Sequence, residues 1–574
     1  MRIHFLKQQY VFKLFVLVGL CCFSFKAFTQ ENDPKEFIRT LEQASKLSTE
    51  KKWAEAAPSW VKLIEWNPVN GEYWANLANA YYNLKQYEKS IEAYTKQIEL
   101  GYGLVGNATY NIACCYALAG NKAKSLEWLE KSLYRGFNNF SLAQTDNDLI
   151  SIRNEAKFKK LFGTDDVSKM SRTQGWRYDM ELLKQEVMRK AYIRRDLAMD
   201  EFNKQYNELY NSVETKTDIQ IIMGLMKLLV TLDDGHTGVF APSRKEFQVA
   251  LPLLFYYFKE GLYIVAAAPN YKHLLGSKVL GFDKKTTEDI SKAISLYVSR
   301  DNELSLLQNI TSAMRYTIPM HAAGLTSDQN KVELQLLDAS GKKTSAVVVA
   351  DTTAPRVEFK TLPANWVTLH QSLSNPVPLY LKDMKKIYWF EQIPGTKIVY
   401  LQWNSVRNDK TESLNQFTDR LMKFINENDV DKLVIDLRWN NGGNTMLTPY
   451  FINQIIKNDK INKRGNLFVI TGRRTFSAAQ NLATFLERQT NATFVGEPTG
   501  SSPNFVGEED FITLPYSKLA MNVSDLYWQS SWPGDKRTWI APLIYTPPTY
   551  KAYSMNRDEA LEAILKLTGD KKSL

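Results

Sequence analysis

The sequence predicts a multidomain chain of α and α/β class. An N-terminal α-helical repeat array comes first, then a helical lead-in, a small β-rich insert and a C-terminal α/β core. Three observations carry this reading: a repeat of 34 to 35 residues near the N-terminus, a run of short apolar segments from Leu251 to about Asp351, and regular strand–helix alternation from Lys397. At 574 residues the chain is too long for one core. A hydrophobic content of 44% and a charged content of 23% are ordinary for folded protein.

The first 29 residues read as an export signal. Arg2, Lys7 and Lys13 form a basic region, "LFVLVGLCCFSF" is a short apolar core, and "AFTQ" offers a small-residue cleavage site after Thr29. An uncleaved anchor or a lipid on Cys21 or Cys22 are the alternatives, although Leu20 is a poor residue before a lipidated cysteine. No other segment reads as a membrane span. The net charge is +10, but this segment carries Arg2, Lys7, Lys13 and Lys26 and no acid, which leaves +6 spread along the remainder. No basic run is long enough for nucleic acid. After cleavage only Cys114 and Cys115 remain. They read as small buried residues, with no disulfide framework and no metal site.

Residues 33–168 read as the repeat domain. Ala56, Trp60 and Pro68 align with Ser90, Tyr94 and Tyr102, then with Ser125 and Leu129. Trp74, Leu77, Ala78 and Tyr81 make one helix face, repeated by Ala113 and Tyr116. The period and pattern resemble the tetratricopeptide repeat, with Leu142 to Phe162 as its cap. Such a stack either binds a peptide or partner or serves as a rigid arm. Residues 172–243 read as the helical lead-in. "IQIIMGLMKLLVTL" is its strongest apolar stripe, and it runs into "LDDGHTGV". Residues 245–360 read as short strands with one helix, "TEDISKAISLYV", and resemble a PDZ-like module. Residues 380–570 alternate strand and helix, which implies a largely parallel sheet with ligands beyond its carboxyl ends. Asp436 to Gly443 and Thr471 to Ser477 both fall at such ends.

Those ends carry the chemistry. Ser477 follows a strand and opens a helix, where free N–H groups stabilise an oxyanion. Ser477 and Gln480 also spell a Ser-x-x-Gln capping box, which requires no chemistry. Gly442 and Gly443 end "DLRWNNGG", where glycine permits a positive φ and an exposed amide or simply makes a turn. Either glycine could form an oxyanion hole with Ala478. His236 is one of four histidines outside the export segment, beside His273, His321 and His370. It sits in a tight polar turn that Asp233 or Asp234 fixes.

The order "DGHTGV", "DLRWNNGG", "TFSAAQ", "GEPTGSSPN" and "DKRTWIAP" resembles the C-terminal-processing (tail-specific) serine peptidases, and within them the tricorn-like branch. The resemblance spans Trp176 to about Leu567. It implies a core of the ClpP/crotonase type, Ser477 as nucleophile, His236 as general base, and Gly442 or Gly443 with Ala478 as the oxyanion hole. Two departures stand out. The position of the lysine used by the processing branch is Ser502 here, which leaves Ser502 a supporting role. Asp535 falls where the tricorn-like branch places its acid, and Gly235 replaces the serine that tricorn has before its histidine.

The function expected is therefore that of an exported serine peptidase, periplasmic or cell-envelope associated or secreted. It hydrolyses peptide bonds through an acyl-enzyme on Ser477 and docks substrate or a partner through its repeats. No cofactor or metal is implied, and membrane association is expected through the N-terminus only. The alternatives are an inactive peptidase-like scaffold, or a hydrolase of esters or modified peptides on the same core.

Overall fold

The computed structural model describes residues 33–190, 199–240, 244–352, 356–508 and 511–567. The expected export segment, with Cys21 and Cys22, lies outside them. The chain divides into two compact units, one ending at Thr164 and the other beginning at Asp165. Among the described residues no helix is long and apolar enough to cross a membrane.

The first unit is an array of antiparallel helix pairs: Pro34–Thr49 with Trp53–Trp66, Gly71–Asn83 with Tyr87–Glu99, and Val105–Leu118 with Lys122–Tyr134. The repeat is visible as one recurring contact. Ser90 Oγ donates to the Ala78 carbonyl and Ser125 Oγ to the Ala113 carbonyl, each at 2.8 Å. In the first pair Trp60 Nε1 reaches Ser48 Oγ, again across twelve residues. A small residue at the Ser90 and Ser125 positions lets the paired helices approach closely. The segment after Tyr134 closes the stack with Phe137, Leu149, Phe158 and Phe162, all buried. Cys114 and Cys115 are buried free thiols, as expected.

In the second unit the described residues form a lead-in bundle, an insert and a C-terminal sheet, each with packed apolar residues. The lead-in helices Arg172–Lys190, Met199–Ser212 and Asp218–Val230 bury Trp176, Leu183, Phe202, Ile221 and Leu228 together with Leu514 and Met521. Strand Gly238–Phe240 leaves this bundle and pairs antiparallel with Ala520–Asn522. The insert is an antiparallel sheet whose main strands run 253–258, 261–267, 278–282, 331–337 and 343–349. It carries three helices rather than the one expected: Thr287–Ile294, Glu303–Ala313 and Thr317–Ala322. The second of these has a legible start, because the Asn302 carboxamide oxygen accepts from the Leu304 and Ser305 amides.

The C-terminal core is a six-stranded sheet: β1 (Tyr388–Gln392), β2 (Ile398–Trp403), β3 (Lys432–Asp436), β4 (Leu467–Thr471), β5 (Thr493–Gly496) and β6 (Ile544–Tyr545). Each strand lies beside its neighbour in sequence. All the pairings are parallel except β1 with β2. Both faces are covered, so the central strands β2 to β5 are predominantly apolar. Val399, Leu401, Leu433 and Ile435 face the helices Leu414–Glu427, Thr448–Lys457 and Ala478–Gln489. Tyr400, Val434, Phe468 and Ile470 face the helix Glu559–Leu567. At the carboxyl end of β3, Arg438 forms a buried bidentate pair with Asp558 at 3.0 Å and also bonds Asp436. This closes the polar end of the sheet.

Candidate active site

Beyond β4 the chain makes a pinned turn. Thr475 Oγ1 donates to the Leu437 carbonyl at 2.9 Å, and the Phe476 amide donates to the Asn440 carbonyl at 3.2 Å. Ser477 then takes φ 54 and ψ −127 before the helix Ala478–Gln489. A non-glycine residue in that region costs roughly 1–3 kcal/mol, a strain that clusters at functional turns. The predicted Ser477–Gln480 capping box does not form, and Ser477 makes no side-chain cap. Capping needs an extended N-cap backbone, and positive φ carries Oγ away from the helix amides. Gln480 instead donates to Thr484 Oγ1 at 3.3 Å.

The glycine loop beyond β3 touches this turn at backbone level. Gly442 has φ +101 and Gly443 φ +141. A Cβ on Gly442 would stand 2.7 Å from Ser477 Cβ and 3.0 Å from the Ala478 nitrogen. The Val406 amide donates to the Gly442 carbonyl and the Asn444 amide to the Val406 carbonyl, which leaves the Gly443 amide off the ladder. The Gly442 amide is donated to Asn440 Oδ1 at 3.0 Å. Gly443 and Ala478 therefore keep unbonded amides, whereas Gly442 does not.

His236 enters from the lead-in. Asp234, rather than Asp233, fixes its turn, accepting from the His236 amide at 3.0 Å and the Thr237 amide at 2.6 Å. Asn522 Nδ2 donates to the His236 carbonyl at 2.5 Å. The imidazole stacks between Phe476 (4.6 Å, 21°) and Phe505 (5.5 Å, 9°). Phe476 immediately precedes Ser477, so this sandwich brings the imidazole beside the serine turn. Both ring nitrogens are buried without a hydrogen bond, and none joins them to Ser477. Burial pushes the His236 pKa down to about 4, against the pull of Asp234.

The other expected residues are held elsewhere. The Asp535 carboxylate does not reach His236. It accepts from Arg537 Nε at 3.0 Å and Nη2 at 2.8 Å, and Arg537 holds its pKa at about 2. Arg537 also pairs with Glu487. Ser502 Oγ donates to the Thr538 carbonyl at 3.2 Å. Of the remaining histidines, His321 bonds the Thr326 carbonyl and His370 is buried beside Thr368.

Sequence reasoning missed Asp301. Its carboxylate accepts from the Gly235 amide at 2.6 Å and from Ser501 Oγ, tying the His236 turn to the "GEPTGSS" loop. A Cβ at position 235 would meet Asp301 Oδ1 at 2.8 Å and the Phe476 ring at 2.9 Å, so glycine there makes room for both. Nothing in "SRDNELS" marks this carboxyl, whereas Phe476 stands inside "TFSAAQ" and Phe505 directly follows "GEPTGSSPN". Burial pushes the Asp301 pKa up to about 7. The folded state thus holds a proton that the unfolded state has lost, and stability falls as pH rises from about 4 to about 7. Asp301→Asn keeps an acceptor for Gly235 and removes this dependence. Its thermal midpoint relative to wild type is expected to be higher at pH 8 than at pH 5. A difference that does not change with pH would contradict the assignment.

A tetratricopeptide-repeat profile matches residues 71–100, which span one helix pair of the first unit. No curated protein matches the chain in sequence. Mature CPAF complexed with lactacystin aligns over 70% of this chain and 99% of its own at 12% identity and a TM-score of 0.50. The photosystem II D1 C-terminal processing protease aligns over 70% of this chain and 98% of its own (14% identity, TM-score 0.33), and the tricorn protease over 69% and 36% (14%, 0.30). The chain joins a tetratricopeptide repeat to the fold of mature CPAF.

Proposed function

We propose that this protein is an exported serine peptidase in which Ser477 attacks the peptide carbonyl and His236 accepts its proton. The observation that carries the reading is the Ser477 turn. The serine is strained, free of any capping role, and backed by the unbonded amides of Gly443 and Ala478. In the mechanism proposed, Ser477 Oγ forms the acyl bond as His236 takes its proton. The tetrahedral oxyanion rests on the two amides, and the protonated imidazole then delivers its proton to the leaving amine. Water repeats the sequence to release the acid. Stacking on Phe476 and Phe505 orients the ring, a role otherwise filled by a carboxylate. Asp535 and Ser502 act through the loops they brace, and the repeat unit and the PDZ-like insert deliver peptide or partner.

The two catalytic groups close to hydrogen-bond distance when substrate binds, since apo geometry is commonly looser. A second reading, a peptide-binding scaffold without hydrolysis, is favoured by the missing Ser477–His236 bond. Labelling of Ser477 by a fluorophosphonate, together with hydrolysis of an unfolded protein, supports the first reading. Absence of both supports the second.

The pH dependence is distinctive. A base must be neutral, and His236 becomes charged only near pH 4. kcat/KM is expected to rise through about pH 4 and to be flat from pH 5.5 to 8, as rates on a small peptide would show. A rise centred near the ordinary histidine value of about 6.5 would mean that the ring is solvated in the working enzyme.

A further inference from the structure

His236 lines a cleft of about 340 Å³ with Gly235, Thr237, Ser299, Phe511 and Asn522. Beside it lies a second cavity of about 450 Å³. The two share Met226, Val239, Tyr297, Val298 and Asn309, so they adjoin along a common wall. The second cavity sits where two cores meet. Met226, Val239 and Tyr316 belong to the lead-in core, and Ile294, Val298, Met320 and Leu325 to the core of the insert. The cores do not close on each other here.

Close-packed interiors leave few voids larger than a water molecule, so an apolar space of this size at the edge of a reactive cleft is suited to a ligand group. No lining residue carries a formal charge, and Met223, Phe247, Met320 and Leu325 are almost fully buried. A charged side chain entering the cavity would lose its hydration without a partner. Three of the lining residues are methionines (223, 226 and 320), which adapt to several apolar shapes. The space is ample for a phenyl or a branched aliphatic group, since a dry cavity of roughly 150 Å³ already holds benzene.

We propose that this cavity is the specificity pocket of the protein, receiving one large apolar side chain (Leu, Phe or Met) of a peptide laid along the His236 cleft. The inference rests on the peptidase reading for its purpose, but binding alone tests it. The full chain carrying Ser477→Ala is titrated against fluorescein-labelled Gly/Ser decapeptides with a single central Phe, Leu, Asp or Lys, and anisotropy is read. Phe and Leu peptides are expected to bind at least ~10-fold more tightly than Asp and Lys peptides, the effect of burying one large apolar side chain. Ser312→Phe, which fills the cavity from the helix Glu303–Ala313, removes that advantage and leaves the weak Asp and Lys affinities unchanged. Should Ser312→Phe fail to fold, Ala313→Leu narrows the same wall. Equal affinity for the four peptides, or a preference untouched by the filling variant that folds, overturns the proposal. Because no hydrolysis is read, failure of Ser477 to react with fluorophosphonate would count against the peptidase reading alone.

Discussion

Ser477→Ala is expected to lower the rate of hydrolysis of an unfolded protein by about 10⁴- to 10⁶-fold, with the thermal midpoint unchanged or raised. The rate falls because the nucleophile is gone, and a serine–histidine unit loses nearly all its power when either member is removed. His236→Ala is expected to fall by a similar factor, and the double variant by little more. The stability expectation is the sharper part. A serine serving as a helix cap loses about 1 kcal/mol on change to alanine. Ser477 makes no cap, and its backbone lies at φ 54, so alanine there gives up no capping bond. Hydrolysis and thermal unfolding measured on the same preparations decide the matter. A variant that loses about 1 kcal/mol of stability and keeps its residual rate would return Ser477 to the role of a cap.

Gly443→Ala is expected to be the most damaging change of one methyl group. The added Cβ would stand 2.1 Å from the Val406 carbonyl oxygen, and φ +141 is closed to L side chains. The loop must move, breaking the Val406–Gly442 and Asn444–Val406 bonds. About 2–4 kcal/mol of stability is expected to be lost. If the Gly443 amide holds the oxyanion, kcat falls by a further 10²- to 10³-fold in the fraction that remains folded. Chemical denaturation and initial rates separate the two effects. A stable variant with full activity would show that the loop is slack and the amide idle. Gly442→Ala serves as the comparison. Its Cβ would meet Ser477 Cβ at 2.7 Å and the Phe476 carbonyl oxygen at 2.9 Å, a milder clash than 2.1 Å, and its own amide is already donated to Asn440.

Much of this architecture was legible in the sequence because it rests on periodicity. The repeat array, the lead-in stripe and the strands β2 to β5 each bury a regular set of apolar residues, and pattern reads such burial directly. The edge strands β1 and β6 and the short pairings around residues 504–529 escaped notice. They are brief and partly exposed, so they carry little pattern to read. The helix Glu303–Ala313 was missed although its Asn302 start was in plain view. At the site, the motifs pointed to Ser477, His236 and the glycines, which the fold places on neighbouring turns. They did not say which glycine amide stays free, since that turns on Asn440 accepting from Gly442. Nor could they assign the Asp535 carboxylate to Arg537, or Asp301 to the Gly235 amide. Those are choices among partners, and only folded geometry makes them.

The pairing of Gly238–Phe240 with Ala520–Asn522 has a consequence in time. A chain leaving the ribosome presents His236 early and Ser477 much later, and the two meet through a strand that emerges later still. Until about residue 522 is free to fold, Asn522 cannot hold the His236 carbonyl and the imidazole has no fixed seat. On the peptidase reading proposed above, the order of synthesis would keep the nascent chain inert. A half-made molecule would have a base without a nucleophile, then a nucleophile without a positioned base, and reactivity would arrive only with closure of the second unit.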